Sequence, residues 1–555
     1  MQCRYLAYIL AFVIALFQFC FCANISPTSA NQITAAQLMA GGKALFVDYY
    51  YDDLPGLVFL RLPQVQLSDW LRSLPLPVLP ILGVDTGYFG AYSVAHADVL
   101  AHFLVLLSFQ SAVLIFIGTV RPISSSTSSP HLLLAVLISL LSFPFQTGCA
   151  QHYLFLALLP LIFSLVAKNS LQVKFSPLLL YLSAALAAVF CGLSIWFLPL
   201  PFILILAAAL QSPLELKRRW LEFLPLLLFC LLIECLTVYG QWQTIGPEGR
   251  FAVWDWIWSF RRSTLIMEDM TIFGYKCSVD RRDLLYLFAV LFPLTLSLSK
   301  RLLYTAPFVL LAVYGMGLYM CSSSYLSDSL VLSEAALFTL LFYLGVSIYY
   351  GIPRVYPRFL PFLFRPAFFY AVLSISLLAL LSMPFLTLVR LTKLIGDSKL
   401  TGPQDLRQAI VGFTKAGDSV LILTGRLTPA CPELLLTGRK PVGYFINGEP
   451  VGMVMNYLSH KADGAWLGRE LTFVKDKVIV VVDHLRQDIL AEKPDYIMVE
   501  GGDMDTFLHE QSLYALLEKH YKDVDFCNWR SENTGPREFS DWNYDMAIYK
   551  RKDKK

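Results

Sequence analysis

Long apolar runs constrain the fold of this chain more than any other feature of its sequence. An α-helix needs roughly 20 apolar residues to cross the hydrocarbon core of a bilayer, and about eleven stretches approach or exceed that length. They lie near residues 5–22, 94–119, 131–147, 152–167, 177–196, 198–211, 221–240, 283–299, 302–320, 329–350 and 367–389. Of the 555 residues, 56% are hydrophobic and 15% are charged, whereas soluble domains carry about 25% charged residues. The sequence therefore predicts a polytopic α-helical membrane protein that crosses the cell membrane many times.

The apolar stretch 177–211 decides the topology of everything that follows it. It is interrupted by Trp196, Pro199 and Pro201, and we interpret it as a tight hairpin of two spans. The alternative is a single kinked span, which would place every later connection on the opposite side of the membrane.

The distribution of basic residues favours the hairpin. With the N-terminus in the cytoplasm, the predicted inner connections carry Arg121, Lys168, Lys174, Lys217, Arg218, Arg219, Lys300, Arg301, Arg354, Arg358 and Arg365. The short outer connections at 148–151, 197 and 321–328 carry no Lys or Arg. This alternation follows the positive-inside rule, and it places the C-terminal part of the chain outside the cytoplasm.

Four regions follow from this topology. Residues 1–22 are predicted to be a retained transmembrane anchor; a cleaved signal peptide is the alternative, because the run ends in small residues. Residues 23–93 form an extracytoplasmic loop, and 94–394 form the transmembrane helical domain. Residues 395–555 have the composition of a soluble extracytoplasmic domain.

The soluble region alternates between predicted helices and strands. Helices are predicted at 406–415 and 506–521, and strands at 419–423, 477–482, 496–499 and 547–549. This alternation predicts a small α/β domain. The net charge of +3 gives no reason to expect a nucleic-acid partner.

The first outer loop carries an unusual group of acids close to the membrane. A strand-like Leu45–Val47 is followed by Asp48, three tyrosines, Asp52 and Asp53, and Pro55 closes the segment. A carboxylate in this place can serve as a general base. For Asp52 and Asp53 the alternative is a turn that precedes the proline.

Ionisable residues within the predicted spans all fall in the outer half of the membrane. They are His96, Asp98, His102, His152, Glu234 and Glu334. Charges at such depth are costly and by default indicate function. Clustering at one face favours a site for a polar headgroup over an ion pathway. The alternative for each single residue is that it snorkels to the interface.

The second outer loop, 241–282, combines aromatic and basic residues. Its Trp-rich part, 251–262, is typical of an interfacial helix, and stacking on sugar rings is the alternative. Arg261 and Arg262, with Arg61 in the first loop, are candidate phosphate partners; solvated or headgroup-facing charges are the alternative.

In these residues the chain resembles the C-type (GT-C) polyprenyl-phosphate-sugar-dependent membrane glycosyltransferases of bacteria. Asp48 matches the Asp of their first-loop motif, and Pro55 matches one proline of a pair. His152 and Pro160 match a second motif. In the soluble domain, stretches near 417–423, 492–499, 516–521 and 546–549 are similar to the terminal α/β domain of many members.

The resemblance implies an enzyme that transfers a hexosyl or pentosyl group. The donor would be a polyprenyl-phosphate sugar in the lipid bilayer, and the acceptor a hydroxyl of a glycan, lipid or protein outside the cytoplasm. Asp48 would be the general base, with Asp52 and Asp53 as the next candidates. The substrate-binding candidates are Asp98, His102, His152, Glu234, Arg261 and Arg262. No cofactor is certain, and a divalent metal could stabilise the leaving phosphate.

Two departures from the family keep other functions open. Many members carry an acid shortly after the first span, but residues 24–32 contain none, and Gln151 stands where the family has Glu. The alternatives are a non-catalytic relative of these enzymes and a transporter or polymerase of lipid-linked saccharides. A transporter predicts internal repeats and ionisable groups at mid-membrane, and the sequence shows neither.

Overall fold

The structure is a computed structural model, and it describes two parts of the chain, a set of helices in the first half and a C-terminal domain. The described residues are 27–51, 54–73, 157–158, 160–161, 164–165, 177–194, 197–211, 216–247, 249–250, 253, 256, 403–415, 417–425, 430–462, 474–530 and 543–553. Most of the eleven predicted spans therefore lie outside the described residues.

Two packed helices form the described part of the first loop. Helix α1 is Pro27–Ala40 and helix α2 is Gly56–Ser73, and apolar side chains such as Ile33 and Leu57 are fully buried between them. The predicted strand-like Leu45–Val47 is instead part of a turn, in which Phe46 has a positive φ of 64°. The loop is thus a folded unit that presents its connecting turn to the rest of the molecule.

Three apolar helices follow: α3, Pro177–Cys191; α4, Leu200–Gln211; and α5, Leu216–Thr244. Among the described residues, one helical stretch, Trp220–Thr244, is long and apolar enough to cross a membrane. Helices α3 and α5 run parallel, because their contacts advance together along both. The contacts are Tyr181 with Phe229 at 5.3 Å between ring centroids, Cys230 Sγ with Ala184 O at 3.9 Å, and Gln241 Nε2 with Gly192 O at 2.6 Å.

The parallel direction of α3 and α5 determines how the chain passes between them. The intervening α4 packs against both helices, so the chain reverses after α3 and again before α5. The first reversal is the turn after Cys191. The reversal agrees with the hairpin predicted within 177–211, since a single kinked helix would have left α3 and α5 antiparallel. That both arms of this hairpin cross a membrane stays a prediction.

The C-terminal domain is built on a mixed five-stranded sheet. The strands are β1, Ser419–Leu423; β2, Lys440–Pro441; β3, Tyr496–Glu500; β4, Tyr521–Arg530; and β5, Asn543–Arg551. Their order is β2-β1-β3-β5-β4. Strand β1 is parallel to β2 and β3, and β5 is antiparallel to β3 and β4. Strands β1 and β3 are almost entirely apolar because both of their faces are covered.

Helices cover the sheet on both faces. They are α6, Pro403–Phe413; α7, Ala430–Leu436; α8, Glu449–Ala462; α9, Lys475–Gln487; α10, Asp503–Glu510; and α11, Tyr514–His520. Helices α6 and α7 pack on Val420 and Ile422, and α8 to α11 pack on the face that carries Leu421 and Leu423. The predicted α/β domain is confirmed in this part of the chain.

One predicted strand is wrong. Residues 477–482 belong to α9, which continues in a single π-helical turn, Asp488–Glu492. Burial recurs with helical spacing at Lys477, Val481 and Leu485, while Ile479 is 69% exposed. The β-branched residues favoured a strand, but packing of one helical face against the sheet overrides that preference.

The predicted helix 506–521 is two shorter helices. The chain turns at residues 511–513, between α10 and α11, and Tyr521 already starts β4. The predicted strands 419–423, 496–499 and 547–549 are confirmed within β1, β3 and β5. Strands β2 and β4 were not predicted.

Candidate active site

Asp48 lies at the tip of a tight turn after α1. Its backbone N–H donates to the carbonyl of Ala44 (2.9 Å), and the backbone N–H of Ala44 donates to Asp48 Oδ2 (2.6 Å). We call residues 44–50 the Asp48 turn. The Asp48 side chain is exposed to solvent, so the turn holds a carboxylate in a defined place where a ligand can reach it.

The tyrosines beside Asp48 point the opposite way and are buried. Tyr49, Tyr50 and Tyr51 are each at most 2% exposed. The hydroxyl of Tyr49 donates to the carbonyl of Ala35 in α1 (2.9 Å). Burial, and to a lesser extent the charge of Asp48, raise the pKa of Tyr49, so this hydroxyl stays a neutral donor. The tyrosines anchor the turn that carries Asp48.

The C-terminal domain holds the Asp48 turn through Tyr444, which follows β2. The backbone N–H of Tyr50 donates to the carbonyl of Tyr444 (2.7 Å), and the hydroxyl of Tyr444 donates to the carbonyl of Phe46 (3.2 Å). At the rim, Lys43 forms an ion pair with Glu492 (3.3 Å). Residues almost 400 positions apart thus make one unit.

Tyr444 is itself held by α9. Its backbone N–H donates to both carboxylate oxygens of Asp488 (3.0 Å each), and its ring stacks on His484 at 3.8 Å between centroids. Burial raises the pKa of Asp488 to about 7, against the opposing effects of the Tyr444 N–H and the Lys43 charge. Burial also raises the pKa of Tyr444 to about 12.

The second outer loop joins the same place. The Trp256 ring lies 5.8 Å from that of Tyr50 and 5.5 Å from that of Phe445, with Lys477 Nζ 4.9 Å from its centroid. Trp256 is 4% exposed. Our predictions for the Trp-rich segment are therefore wrong for Trp256, because it lies in a protein core rather than at headgroups or on an open sugar-binding face.

Gln241, near the end of α5, connects the first loop to α3 and α5. The N–H of Gly56 donates to Gln241 Oε1 (2.8 Å), and Gln241 Nε2 donates to the carbonyl of Gly192 in the turn after α3 (2.6 Å). A Cβ atom on Gly56 would lie 2.5 Å from Gln241 Oε1. The glycine permits this close approach.

These contacts define a junction of four segments: the first loop, the turn after α3, the start of the second loop and the C-terminal domain. A bilayer cannot separate segments that touch, so all four lie on one side of any membrane that α5 crosses. The distribution of basic residues independently assigns the same four segments to one side.

Glu234 is the other predicted site residue within the described part of the chain. It lies on α5, two helical turns before Gln241. Its side chain is 3% exposed, and its buried Oε1 atom has no hydrogen-bond partner among the residues that the structure describes. Glu234 is thus a buried carboxyl group close to the junction, and its substrate-binding role stays a prediction.

Several predicted site residues lie outside the described residues. They are Asp52, Asp53, Asp98, His102, His152, Arg261 and Arg262. Arg61 is described and is fully buried, donating to Gln64 Oε1 (2.8 Å) and to Gln32 Oε1 (3.3 Å). The guanidinium of Arg61 thus makes buried hydrogen bonds within the first loop. The alternative prediction that Arg61 is a solvated charge is wrong.

The residues that hold the Asp48 turn were missed by the sequence reasoning. His484 and Asp488 were not singled out, because residues 477–482 were predicted to be a strand, and Tyr444 was missed because no local pattern marks it. Had a helix been predicted there, His484 and Asp488 would have been placed on one helical face, because they are four residues apart.

Among the described residues, no group of three His, Cys, Asp or Glu side chains could hold a metal ion.

No protein-family model matches the chain, and no curated protein matches it. The resemblance to the C-type glycosyltransferases rests on the sequence motifs quoted above.

Proposed function

We propose that the chain is a membrane glycosyltransferase that moves a sugar from a polyprenyl-phosphate donor to an acceptor hydroxyl on the extracytoplasmic side. The observation that carries the proposal is the exposed Asp48 carboxylate, held on a fixed turn at the junction above α5. A lipid-linked donor brings its reacting carbon to the membrane surface. A base must therefore stand near the end of a spanning helix.

In the proposed reaction Asp48 removes the proton of the acceptor hydroxyl. The hydroxyl oxygen then forms a bond to the anomeric carbon of the sugar, and the bond from that carbon to the polyprenyl-phosphate oxygen breaks. The electron pair of the broken bond leaves with the phosphate. A base that is both accessible and rigidly placed suits this step, because general-base catalysis depends on geometry first.

Glu234 is the proposed substrate-binding residue of the membrane part. Its Oε1 atom, which has no hydrogen-bond partner among the described residues, can accept a hydrogen bond from a sugar hydroxyl. Sugar hydroxyls are strong donors, and a buried carboxyl group gains most from such a partner. Asp98, His102, His152, Arg261 and Arg262 stay predictions for the donor headgroup.

The extracytoplasmic placement of the soluble domain is also part of the proposal. It is supported by the positive-inside pattern. It is supported further by the contacts of Tyr50 with Tyr444 and of Trp256 with Phe445, which join both outer loops to the domain.

The test is a transfer assay with membranes that contain the full chain and polyprenyl-phosphate sugars as donors. Asp48→Asn keeps a side-chain oxygen for the Ala44 N–H but removes the base. We expect its rate to fall about 10²- to 10⁴-fold. Asp523→Asn, at an exposed acid of β4, is the matched control and should keep the wild-type rate. Activity that survives in Asp48→Asn would exclude Asp48 as the base.

A non-catalytic relative is the second candidate, and one contact favours it. Asp48 Oδ2 already accepts the Ala44 N–H (2.6 Å), which is a structural use that needs no chemistry. Under this alternative Asp48→Asn is silent, Asp48→Ala loses about 0.5–2 kcal/mol of stability, and the wild type transfers no sugar from any donor. Transfer by the wild type would exclude it.

A further inference from the structure

Two hydrogen bonds from one residue of the C-terminal domain bracket Asp48. The carbonyl of Tyr444 accepts from the N–H of Tyr50 (2.7 Å), and its hydroxyl donates to the carbonyl of Phe46 (3.2 Å). The first bond lies two residues after Asp48 and the second two residues before it. Tyr444 therefore fixes both flanks of the segment that presents the carboxylate.

The turn needs such support because its backbone is strained. Phe46 has a φ of 64°, in the left-handed region that residues with a Cβ rarely adopt. Strained backbone persists only where the surroundings hold it. The hydroxyl of Tyr444 reaches the carbonyl of this same residue.

Tyr444 can act as a rigid support because its own position is determined on three sides. Asp488 accepts its N–H, and His484 stacks on its ring. Gly443 before it has a φ of 115°, and a Cβ there would lie 2.8 Å from Leu421 Cδ1. Only glycine fits this backbone conformation and this close approach, so the segment before Tyr444 packs tightly on the Leu421 side chain of β1.

We propose that Tyr444 is a positioning residue for the transfer reaction: through the carbonyl of Phe46 it sets the direction in which Asp48 meets the acceptor hydroxyl. This inference rests on the proposed function. Under this inference the C-terminal domain contributes to the reaction by positioning Asp48, without contacting the substrate itself.

The first experiment is the Tyr444→Phe variant of the full chain in membranes. The change removes the bond to Phe46 but keeps the stacking ring and both backbone bonds. We expect kcat to fall on the order of tenfold or more with KM unchanged, because misplacement of a catalytic group lowers the rate rather than substrate binding. Tyr514→Phe removes a hydroxyl that bonds Tyr549 Oη (2.8 Å) in the same domain, and it should leave kcat unchanged.

The second experiment tests whether Tyr444 acts through Asp48. If it does, the double variant Asp48→Asn/Tyr444→Phe should be no slower than Asp48→Asn alone, because the two losses share one cause. If the fall in kcat of the double variant equals the product of the falls in the two single variants, the proposal is overturned. An unchanged kcat in Tyr444→Phe, or an equal fall in Tyr514→Phe, would also overturn it.

Hydrogen exchange supplies a measurement that does not depend on activity. The N–H groups of Phe46 and Asp48 are bonded to Tyr49 and Ala44 within the turn, and they should exchange faster in Tyr444→Phe but not in Tyr514→Phe. Unchanged exchange would overturn the support of the turn by Tyr444. A wild-type protein that exchanges as expected yet transfers no sugar would remove the proposed function and, with it, the catalytic part of this inference.

Discussion

The side chain of Asp488 is buried beside the Asp48 turn although it is ionisable. It is 5% exposed, its two oxygens accept the N–H of Tyr444, and Lys43 is the nearby positive charge. His484 lies one turn earlier on the same helix, where burial lowers its pKa despite the opposing charge of Asp483. Burial thus favours the neutral form of both groups near the turn.

Asp488 should make the stability of the junction depend on pH. Burial raises its pKa to about 7 from an ordinary value of 3.8. Between these values the folded protein binds the proton more tightly than the unfolded chain does, so this contribution to stability falls as the pH rises from about 4 to about 7. Asp488→Asn removes the contribution, and the variant should gain stability relative to the wild type as the pH rises from about 4 to about 7.

The measurement is thermal unfolding of the purified chain in detergent across this pH range. Asp476→Asn changes an exposed acid at the start of the same helix, and its curve should run parallel to that of the wild type. A parallel curve for Asp488→Asn would contradict the prediction.

Helix α9 shows how a β-branched run becomes a helix. In a strand, Ile479 and Val481 would face the same side, because side chains alternate with a period of two. In α9 they face opposite sides: Ile479 is 69% exposed and Val481 is fully buried. The helix brings the buried face, which ends with Asp488, toward the sheet and the Asp48 turn.

Alanine substitutions at these two positions distinguish the alternatives. We expect Val481→Ala to lower the free energy of unfolding by about 1–3 kcal/mol, because it leaves a cavity in the core. Ile479→Ala should change it by less than about 0.5 kcal/mol. Chemical denaturation followed by the signal of the soluble domain measures both, and equal losses would favour a strand.

The elements that were predicted correctly are those whose burial is visible in the local sequence. Strands β1 and β3 are covered on both faces, so each appears as an unbroken apolar run. Strand β2 has only Lys440 and Pro441, and β4 begins with a polar, exposed stretch. Both exist because a neighbouring strand pairs with them, and such pairing is not visible in a local pattern.

The candidate site was predictable to a similar extent. The position of the acid Asp48 outside the apolar stretches was visible in the sequence, whereas the burial of the three tyrosines after it was not predicted. The hydrogen bond from the Tyr444 hydroxyl to the Phe46 carbonyl joins residues 398 positions apart, and no local sequence pattern predicts such a contact. The catalytic role of Asp48 stays a prediction that the transfer assay decides.

At the scale of the whole molecule, the described segments meet at one junction, and only segments on the same side of a membrane can make such contacts. The junction joins both outer loops, the turn after α3 and the C-terminal domain. The positive residues Lys217 to Arg219 lie at the opposite end of α5 from Gln241. In the proposed topology, the two ends of α5 therefore lie on opposite sides of the membrane.

Cysteine labelling of intact cells that express the chain tests this arrangement. Val524 is 41% exposed on β4, and Val524→Cys should react with a membrane-impermeant maleimide added outside. Lys217→Cys should react only after the membrane is disrupted. The wild-type chain, with its native cysteines, gives the background. The reverse pattern of labelling would place the soluble domain in the cytoplasm and contradict the topology.

The reach of Tyr444 back to Phe46 also bears on the order in which the protein is made. Synthesis proceeds from the N-terminus, so the first loop is complete long before the segment that supports it. The strained turn must wait until 398 further residues have been added. The Asp48 carboxylate therefore acquires its final orientation only late in translation. A chain whose synthesis stops before Tyr444 contains Asp48 but lacks the residue that supports its turn.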